Sequence, residues 1–308
     1  MAGRIPSLAE CSQRITMGGE EFAYKSEADK ATRFEGFQVS TKLQISIKRV
    51  PQNLNVDSKG EVEILKSFSH RNIVNYVKDG RVDNCHWIVM TSSRGEPLCG
   101  QSFNNIGEIK NVVRQIFEAL GYLDKVNVIH YGLDFQNICW CSKEKQLTLT
   151  DFGFAKRVGT PFKGECNFRY AAPEILFEKE PHSTAVDLWS AGCLIYELIG
   201  HEVLYVVSSH DTRQEQVRKS IDQIVDLIGP PSPQYFYGAK NPIEIKPSPL
   251  PREGLTDEFR KDFSRKLEDV GSDEEEHGQW ANLLESLLSY QKRRKAVDYL
   301  NNPLFRVE

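Results

Sequence analysis

The chain has no long hydrophobic run and no large excess of either charge. A membrane-spanning helix needs about 20 consecutive apolar residues, and no stretch of the 308 residues approaches that length. The formal net charge is −4, so the chain as a whole has no attraction for the phosphates of nucleic acid. The amino terminus lacks the basic segment and apolar run of a signal peptide. We therefore expect a soluble protein of the cytoplasm or the nucleus that binds neither membranes nor nucleic acid.

The cysteines do not show the spacing of a disulfide framework. The seven cysteines are an odd number and are scattered, which indicates free thiols in a reducing compartment. Cys139 and Cys141 look like a ligand pair, but they fall in a predicted strand, where alternate residues share one face. Because no second cluster of cysteine or histidine accompanies them, we do not predict a metal site there.

The spacing of apolar residues changes along the chain, from the alternation typical of strands to the spacing typical of helices. Strands are predicted at 37–40, 43–47, 74–78, 86–91, 138–141 and 147–150. Helices are predicted at 59–68 with Asp57 or Ser58 as cap, and at 106–124, 187–198, 212–228, 256–267 and 279–289. The helix at 187–198 is expected to stop at Gly200. The acidic run at 272–276 is expected to be a solvated loop.

This order of elements predicts an α+β fold with two lobes. A small β-rich lobe comes first and is joined near Ser92–Pro97 to a larger helical lobe. A nucleotide is expected in the cleft between the lobes.

Two segments near the middle of the chain carry polar residues at a fixed spacing. The first is His130-Tyr131-Gly132-Leu133-Asp134-Phe135-Gln136-Asn137, and the second is Asp151-Phe152-Gly153. They resemble the catalytic loop H-R-D-x-x-x-x-N and the metal-binding loop D-F-G of the protein kinases. The resemblance covers roughly residues 20–306 and implies the bilobal protein-kinase fold.

The resemblance also implies a division of the chain. The N-lobe would span about 20–92, the hinge 91–97 and the C-lobe about 98–306, with an N-terminal extension at 1–19.

Further motifs of the family occur in the expected order. They are Ile45-Ser46-Ile47-Lys48 (V-A-I-K), Ser69-His70-Arg71-Asn72-Ile73-Val74 (H-P-N-I-V), Ala172-Pro173-Glu174 (A-P-E) and Asp187-Leu188-Trp189-Ser190-Ala191-Gly192 (D-x-W-S-x-G). The resemblance implies that Lys48 pairs with Glu61 and that Arg293 pairs with Glu174. Ser183–Asp187, Ile221–Pro231 and Pro303–Phe305 resemble the cyclin-dependent and MAP kinase group, although no cyclin-binding helix sequence precedes Glu61.

The catalytic loop departs from the family pattern at three positions. Gly132 stands where the family has the Asp that accepts the proton of the substrate hydroxyl. Tyr131 replaces the Arg that reads a phosphorylated activation loop. Asp134 replaces the Lys that steadies the γ-phosphate, and it could itself serve as a substitute base.

The phosphate-binding loop departs as well. At the family's spacing from Lys48, the three glycines of G-x-G-x-x-G fall on Ser26, Ala28 and Ala31, and the Val that covers adenine falls on Arg33. Without glycine, the backbone has less freedom to bring its N–H groups close to phosphate. We expect weak or absent binding of ATP.

The metal ligands of the family remain. Asp151 offers the oxygen that Mg²⁺ prefers, and Asn137 would be the second ligand, but only where a nucleotide shares the metal. Lys48 and Glu61 would complete the nucleotide-binding remnants, and each could equally be structural. No cofactor is expected, and ATP with Mg²⁺ is the exception to be tested.

Three functions follow from these observations. The first is a pseudokinase that has lost phosphoryl transfer and binds a protein partner, for example an active kinase, as a scaffold or an allosteric regulator. The second is a weak or atypical Ser/Thr kinase that uses ATP and Mg²⁺. The third is a nucleotide-binding switch without catalysis.

Overall fold

The structure is a computed structural model that describes residues 6–26, 32–53, 57–93, 95–162, 166–208, 210–237, 239, 254–291 and 293–306. The chain forms two compact units. The first comprises residues 1–99 and 136–155, and the second comprises residues 100–135 and 156–308. The chain therefore passes from one unit to the other after residues 99, 135 and 155.

The strands lie mostly in the first unit. They are β1 (Gln13–Met17), β2 (Glu20–Tyr24), β3 (Arg33–Gln38), β4 (Gln44–Pro51), β5 (Tyr76–Val82), β6 (Cys85–Thr91), β7 (Glu96–Pro97), β8 (Val128–Ile129), β9 (Ile138–Cys141), β10 (Gln146–Leu149) and β11 (Lys156–Arg157). Of these, β8 and β11 pair with each other in the second unit.

The helices lie mostly in the second unit. They are α1 (Ser58–Lys66), α2 (Ile106–Lys125), α3 (Pro173–Leu176), α4 (Ala185–Gly200), α5 (Arg213–Ile228), α6 (Asp257–Asp269), α7 (Glu274–Leu287) and α8 (Ala296–Tyr299). Only α1 belongs to the first unit among these eight. Three short 3₁₀ helices lie at Leu8–Glu10, Pro233–Phe236 and Pro303–Phe305.

A six-stranded antiparallel sheet with the order β1-β2-β3-β4-β6-β5 forms the body of the first unit. Alternate residues point to one face and bury a shared core, as the period of two requires. That core consists of Ile15, Met17, Phe22, Tyr24, Phe34, Ile45, Ile47, Trp87 and Val89. A second sheet of the order β10-β9-β7 completes this unit.

The first strand of the sheet lies in the segment that the sequence places outside the kinase-like region. Gly18 and Gly19 connect β1 to β2 and have φ values of 56° and 81°. Two residues with positive φ form the hairpin turn whose twist matches the flanking strands. The Gly-Gly pair between two alternating runs was therefore a readable signal for β1.

Helix α1 is tied to strand β5 at both of its ends through Asp79. The imidazole of His86 contacts Asp79 at 3.0 Å and the hydroxyl of Ser58, the first residue of α1, at 2.9 Å. Lys66, the last residue of α1, forms an ion pair with the same carboxylate at 2.8 Å. Burial alone would raise the pKa of Asp79, but hydrogen bonds from Lys66, Tyr76 and His86 outweigh burial and lower it to about 2.

One predicted boundary in the second unit is confirmed and one predicted loop is wrong. Helix α4 ends at Gly200 as predicted, and the following residue, His201, takes the left-handed conformation with φ 54°, where histidine is one of the residues found. The acidic residues Glu274–Glu276 are the first turn of α7 rather than a solvated loop. Carboxylates are favourable at this end because the helix dipole is positive there, and Glu276 pairs with Lys110 at 2.5 Å.

The predicted fold class is confirmed. One unit is β-rich and the other is mostly helical, which is the mixed α+β architecture expected from the sequence. Within the described ranges, no helix has both the length and the apolar character that crossing a membrane would require.

Candidate functional site

Lys48 and Glu61 form a buried ion pair in the first unit. Strand β4 supplies Lys48 and helix α1 supplies Glu61, and the Lys48 Nζ atom lies 2.8 Å from each Glu61 carboxylate oxygen. The Glu61 side chain is 0% exposed and that of Lys48 is 14% exposed. Burial raises the pKa of Glu61, and the ammonium of Lys48 opposes that rise. The pair predicted from the sequence is therefore formed.

Asp151 joins this pair from a distant part of the chain. The Lys48 Nζ atom lies 2.9 Å from the Asp151 Oδ1 atom. The guanidinium of Arg33 forms an ion pair with the other oxygen, Oδ2. Asp151 has φ 58°, a left-handed conformation that costs roughly 1–2 kcal/mol for a residue with a side chain. Both carboxylate oxygens are thus engaged by cations of the same unit.

The strand register places Arg33 beside this cluster. Arg33 pairs with Lys48 across the antiparallel strands β3 and β4, and directly opposite residues extend from one face of a sheet. The Arg33 side chain is 45% exposed, so its aliphatic part is not buried in an apolar slot. Instead the charged end reaches the Asp151 carboxylate.

Gly153 and Phe152 fix the loop that carries Asp151. A Cβ atom on Gly153 would lie 2.9 Å from the Lys48 Nζ atom, so glycine permits the close approach of the ammonium. Phe152 is fully buried, with its ring centroid 4.9 Å from that of Phe68 in an edge-on contact. The buried aromatic pair anchors the loop against the unit's core.

Asn137 lies next to the same loop through backbone contacts. Its carbonyl oxygen accepts hydrogen bonds from the backbone N–H of Thr150 at 2.8 Å and from the Thr150 hydroxyl at 3.1 Å. Because Thr150 is the residue before Asp151, these bonds hold the backbones of the two predicted metal ligands, Asn137 and Asp151, near each other. Among the residues that the structure describes, no group of three or more His, Cys, Asp or Glu side chains could hold a metal ion.

Glu35 is a site residue that the sequence reasoning missed. It lies two positions after Arg33 and opposite Ser46, so it shares the face of Arg33 and Lys48. Its Oε2 atom accepts a hydrogen bond from the Ser92 hydroxyl at 3.1 Å. Burial raises the pKa of Glu35 to about 7, while hydrogen bonds from Ser46 and Ser92 act against it. The alternation of side chains between the two faces of β3 was the sequence signal that could have identified Glu35.

Of the phosphate-loop residues, Ser26 follows β2 and Arg33 begins β3. Ala28 and Ala31 lie outside the described residues.

Residues 130–135 of the catalytic loop belong to the second unit, where Asp187 holds the backbone of the first two. Its two carboxylate oxygens accept hydrogen bonds from the N–H of His130 at 2.7 Å and of Tyr131 at 3.0 Å. Burial raises the pKa of Asp187 to about 7, and these two donors oppose the rise. The loop is thus shaped by buried hydrogen bonds.

Gly132 follows in this loop without a side chain. Its N–H donates to the Nδ1 atom of His130 at 3.2 Å. A small cavity of about 10 Å³, enough for one water molecule, is lined by Gly132 together with Tyr131, Asn167 and Asp187 among others. Gly132 itself therefore contributes no acid group to this loop.

Asp134 is half-buried in the same unit. Burial raises the pKa of Tyr170 and Glu197, and the negative charge of Asp134 adds to both rises. Tyr170 donates a hydrogen bond to Glu197 at 2.7 Å. Asp134 thus lies within electrostatic reach of a second carboxylate.

Tyr131 replaces an arginine by an aromatic contact. Its ring is stacked on Phe162 with centroids 4.0 Å apart, and its hydroxyl contacts the Nδ1 atom of His182 at 3.0 Å. The N–H of Phe162 donates to Glu180 at 3.1 Å. Stacking on Tyr131 and a backbone hydrogen bond to Glu180 thus hold Phe162 in place.

The predicted pair of Arg293 and Glu174 is confirmed. Both side chains are nearly buried, and the guanidinium also donates to the carbonyl of Ser289 at 2.8 Å. Its charged group lies over the ring of Trp189 at 5.5 Å.

Comparison with known proteins agrees with this architecture. The protein kinase domain family matches residues 29–303. The chain is similar to a probable cell division protein kinase of Encephalitozoon cuniculi, 30% identical over 60% of this chain and 73% of the relative. It is similar to cyclin-dependent kinase 11 of Dictyostelium discoideum, 29% identical over 61% of this chain and 53% of the relative.

A third relative is matched over more of this chain. Cyclin-dependent kinase G-2 of Oryza sativa is 28% identical over 85% of this chain but only 37% of its own length. The matched region thus spans about half or less of the last two relatives. With cyclin-dependent kinases among its relatives and both units in the expected form, the chain belongs to the protein kinase domain family.

Proposed function

We propose that this protein is a kinase-fold member that does not transfer phosphate and acts by binding a protein of a kinase signalling pathway. The observation that carries the proposal is Gly132. Its loop is held by the buried carboxylate of Asp187, yet the base position has no carboxylate to accept the proton of a substrate hydroxyl. A positioned general base contributes roughly 10²–10⁴-fold to a rate.

Asp134 does not compensate well for this loss. Its charge lies close enough to Tyr170 and Glu197 to add to the rise of their pKa values. A carboxylate at the position of the family's Lys also repels the γ-phosphate, because both groups are negatively charged.

The donor set in the first unit does not suit Mg²⁺ and ATP. A metal ion needs free carboxylate oxygens, whereas one oxygen of Asp151 contacts Lys48 and the other contacts Arg33. Binding of a metal requires that at least one of these ion pairs is broken. This supports the expectation that no cofactor is bound.

The scaffold of the fold is retained in contrast. The buried pairs of Lys48 with Glu61 and of Arg293 with Glu174 are formed, and a stable fold with altered chemistry is what a binding protein requires. The partner class, a kinase or a kinase substrate, rests on the family alone.

The decisive experiment measures phosphoryl transfer by the purified chain. Labelled ATP, Mg²⁺ and a mixture of Ser/Thr peptides are incubated with the wild type and with Asp151→Asn, prepared in parallel to reveal contaminating kinases. The proposal expects equal, background labelling in both. Labelling by the wild type that Asp151→Asn abolishes would establish the rival function, a weak Ser/Thr kinase.

The intact ion pair of Lys48 and Glu61 favours a second candidate, a nucleotide-binding switch. In that case ATP would stabilise the protein by RT ln(1 + [L]/Kd) without turnover, and Lys48→Ala would remove the effect. A thermal shift at millimolar ATP separates the two: no shift favours the partner-binding protein, and a shift lost in Lys48→Ala favours the switch.

The second part of the proposal, binding of a protein partner, is tested separately. The tagged chain and a tagged Arg293→Ala variant, whose second unit is destabilised, are compared by quantitative affinity purification. Enrichment of protein kinases or their substrates with the wild type alone supports the proposal, and their absence from repeated captures contradicts it.

A further inference from the structure

The cluster around Asp151 has balanced charges without a metal ion. It contains two cations, Lys48 and Arg33, and two carboxylates, Glu61 and Asp151. The charge of Arg33 also acts on Glu61, whose pKa is raised by burial and slightly lowered by Arg33. All four groups are therefore within electrostatic reach of each other inside one unit.

Strand pairing in the sheet fixes the backbone position of Arg33. Its Cα atom is in register with that of Lys48 in β3 and β4, and the backbone N–H of Arg49 donates to the carbonyl of Thr32 at 2.7 Å, next to this pair. Both side chains extend from the same face. The guanidinium can therefore reach Asp151 without any rearrangement of the strands.

The two ion pairs of Asp151 differ in whether a bound phosphate ligand could replace them. A phosphate group offers Lys48 a new anionic partner, so the contact of Lys48 with Asp151 can be exchanged for a contact with the ligand. Arg33 binds the other oxygen, Oδ2, so the Asp151 carboxylate keeps a cation even when Lys48 has moved to the ligand. A divalent ion at this carboxylate would repel the guanidinium and Lys48.

We propose that Arg33 is the resident counter-ion of Asp151, takes the place of a divalent cation and is the residue that excludes the metal from this site. The inference deepens the proposed function, because it states why the site takes no metal–nucleotide complex. It adds a specific consequence: any nucleotide that enters is bound no more tightly with Mg²⁺ than without it.

The test compares variants of Arg33 in the full chain. Arg33→Val removes the cation, Arg33→Gln removes the charge at similar length, and Arg33→Lys keeps a charge. Arg14→Gln is the matched control, because Arg14 is also an exposed strand residue of the same sheet that pairs with a carboxylate, Glu21. Circular dichroism and urea unfolding establish that each variant is folded.

Binding of ATP is measured by calorimetry with Mg²⁺ and with EDTA, and binding of Mn²⁺ is counted by electron paramagnetic resonance. The wild type, Arg33→Lys and Arg14→Gln are expected to bind no Mn²⁺ with ATP present, with nucleotide affinities that Mg²⁺ changes by less than about twofold. In Arg33→Val and Arg33→Gln, Mg²⁺ is expected to tighten ATP by at least about tenfold, and one Mn²⁺ appears with the nucleotide.

Two results would overturn the inference. One is a wild type whose ATP affinity rises about tenfold with Mg²⁺, and the other is the failure of both folded uncharged variants to gain a metal. These outcomes are separable from failure of the proposed function. A wild type that binds Mg²⁺ with ATP but labels no peptide refutes the role of Arg33 alone. Peptide labelling that persists in EDTA refutes the loss of catalysis alone.

Discussion

Arg33 lies directly opposite Lys48 in the antiparallel strands β3 and β4, and both cations bind the carboxylate of Asp151. Like charges directly opposite each other in a sheet destabilise it. Asp151 removes this repulsion by lying between the two cations. A residue that the family uses for chemistry therefore has a structural role in this protein.

Replacing Asp151 by Asn should destabilise the first unit by about 1–3 kcal/mol, because Arg33 then loses its carboxylate partner while it still faces Lys48, whose remaining partner is Glu61. Urea unfolding followed by circular dichroism measures the loss. Salt screens exposed charges, so the loss should shrink at high ionic strength. In the background of Arg33→Gln, the same substitution should cost less, since one of the two cations is gone; an equal cost would contradict this account.

Removing Lys48 alone should be costly. Lys48→Met leaves the fully buried Glu61 without a partner, and breaking a buried pair in this way costs about 3–5 kcal/mol. The double variant Lys48→Met with Glu61→Gln should recover much of that loss, because no buried charge remains. Urea unfolding of the two single variants and the double variant gives the coupling. Additive effects would show that the pair is energetically independent.

Asp79 should stabilise the protein in a defined range of pH. Its pKa is lowered to about 2 in the folded state, so its contribution is present above the ordinary carboxyl pKa of about 4 and is lost as pH falls toward 2. Asp79→Asn should cost about 1–2 kcal/mol at neutral pH and little at pH near 2. Asp83→Asn, at the exposed turn of the same hairpin, is the matched control, and an equal cost of both substitutions at neutral pH would contradict the role of Asp79.

Glu35 should have the opposite pH dependence. Its pKa is raised to about 7, so the folded state favours the protonated form. Its contribution is fully present below the ordinary pKa near 4.5 and is lost as pH rises through about 7. Relative to Glu35→Gln, the wild type should therefore lose about 1–3 kcal/mol between these pH values. Glu63→Gln, on the exposed side of α1, is the matched control, and a stability difference between wild type and Glu35→Gln that does not change with pH would contradict this account.

Much of the fold could be predicted because its signals are local. Helix α2 at 106–125 and helix α5 at 213–228 follow from apolar residues at helical spacing, and Asp57 caps α1 by accepting the Gly60 N–H. The acidic residues at 274–276 were wrongly predicted to be a solvated loop. They are helical because the dipole of α7 favours carboxylates in its first turn.

The candidate site was predicted as a set of residues but not as a geometry. The motif order identified Lys48, Glu61 and Asp151, and it placed Arg33 at the position of the family's adenine-covering Val. It did not foresee that Arg33 would bind Asp151, or that Glu35 would lie beside Ser46 and Ser92. These contacts depend on how distant strands and loops come together.

The sequence by itself determined the family, the order of the elements and the absence of a carboxylate at Gly132, since each is written in residue type and spacing. Only the tertiary structure decided which cations neutralise Asp151. Lys48 and Asp151 are 103 positions apart, and a charge interaction depends on the distance between atoms rather than on separation along the chain.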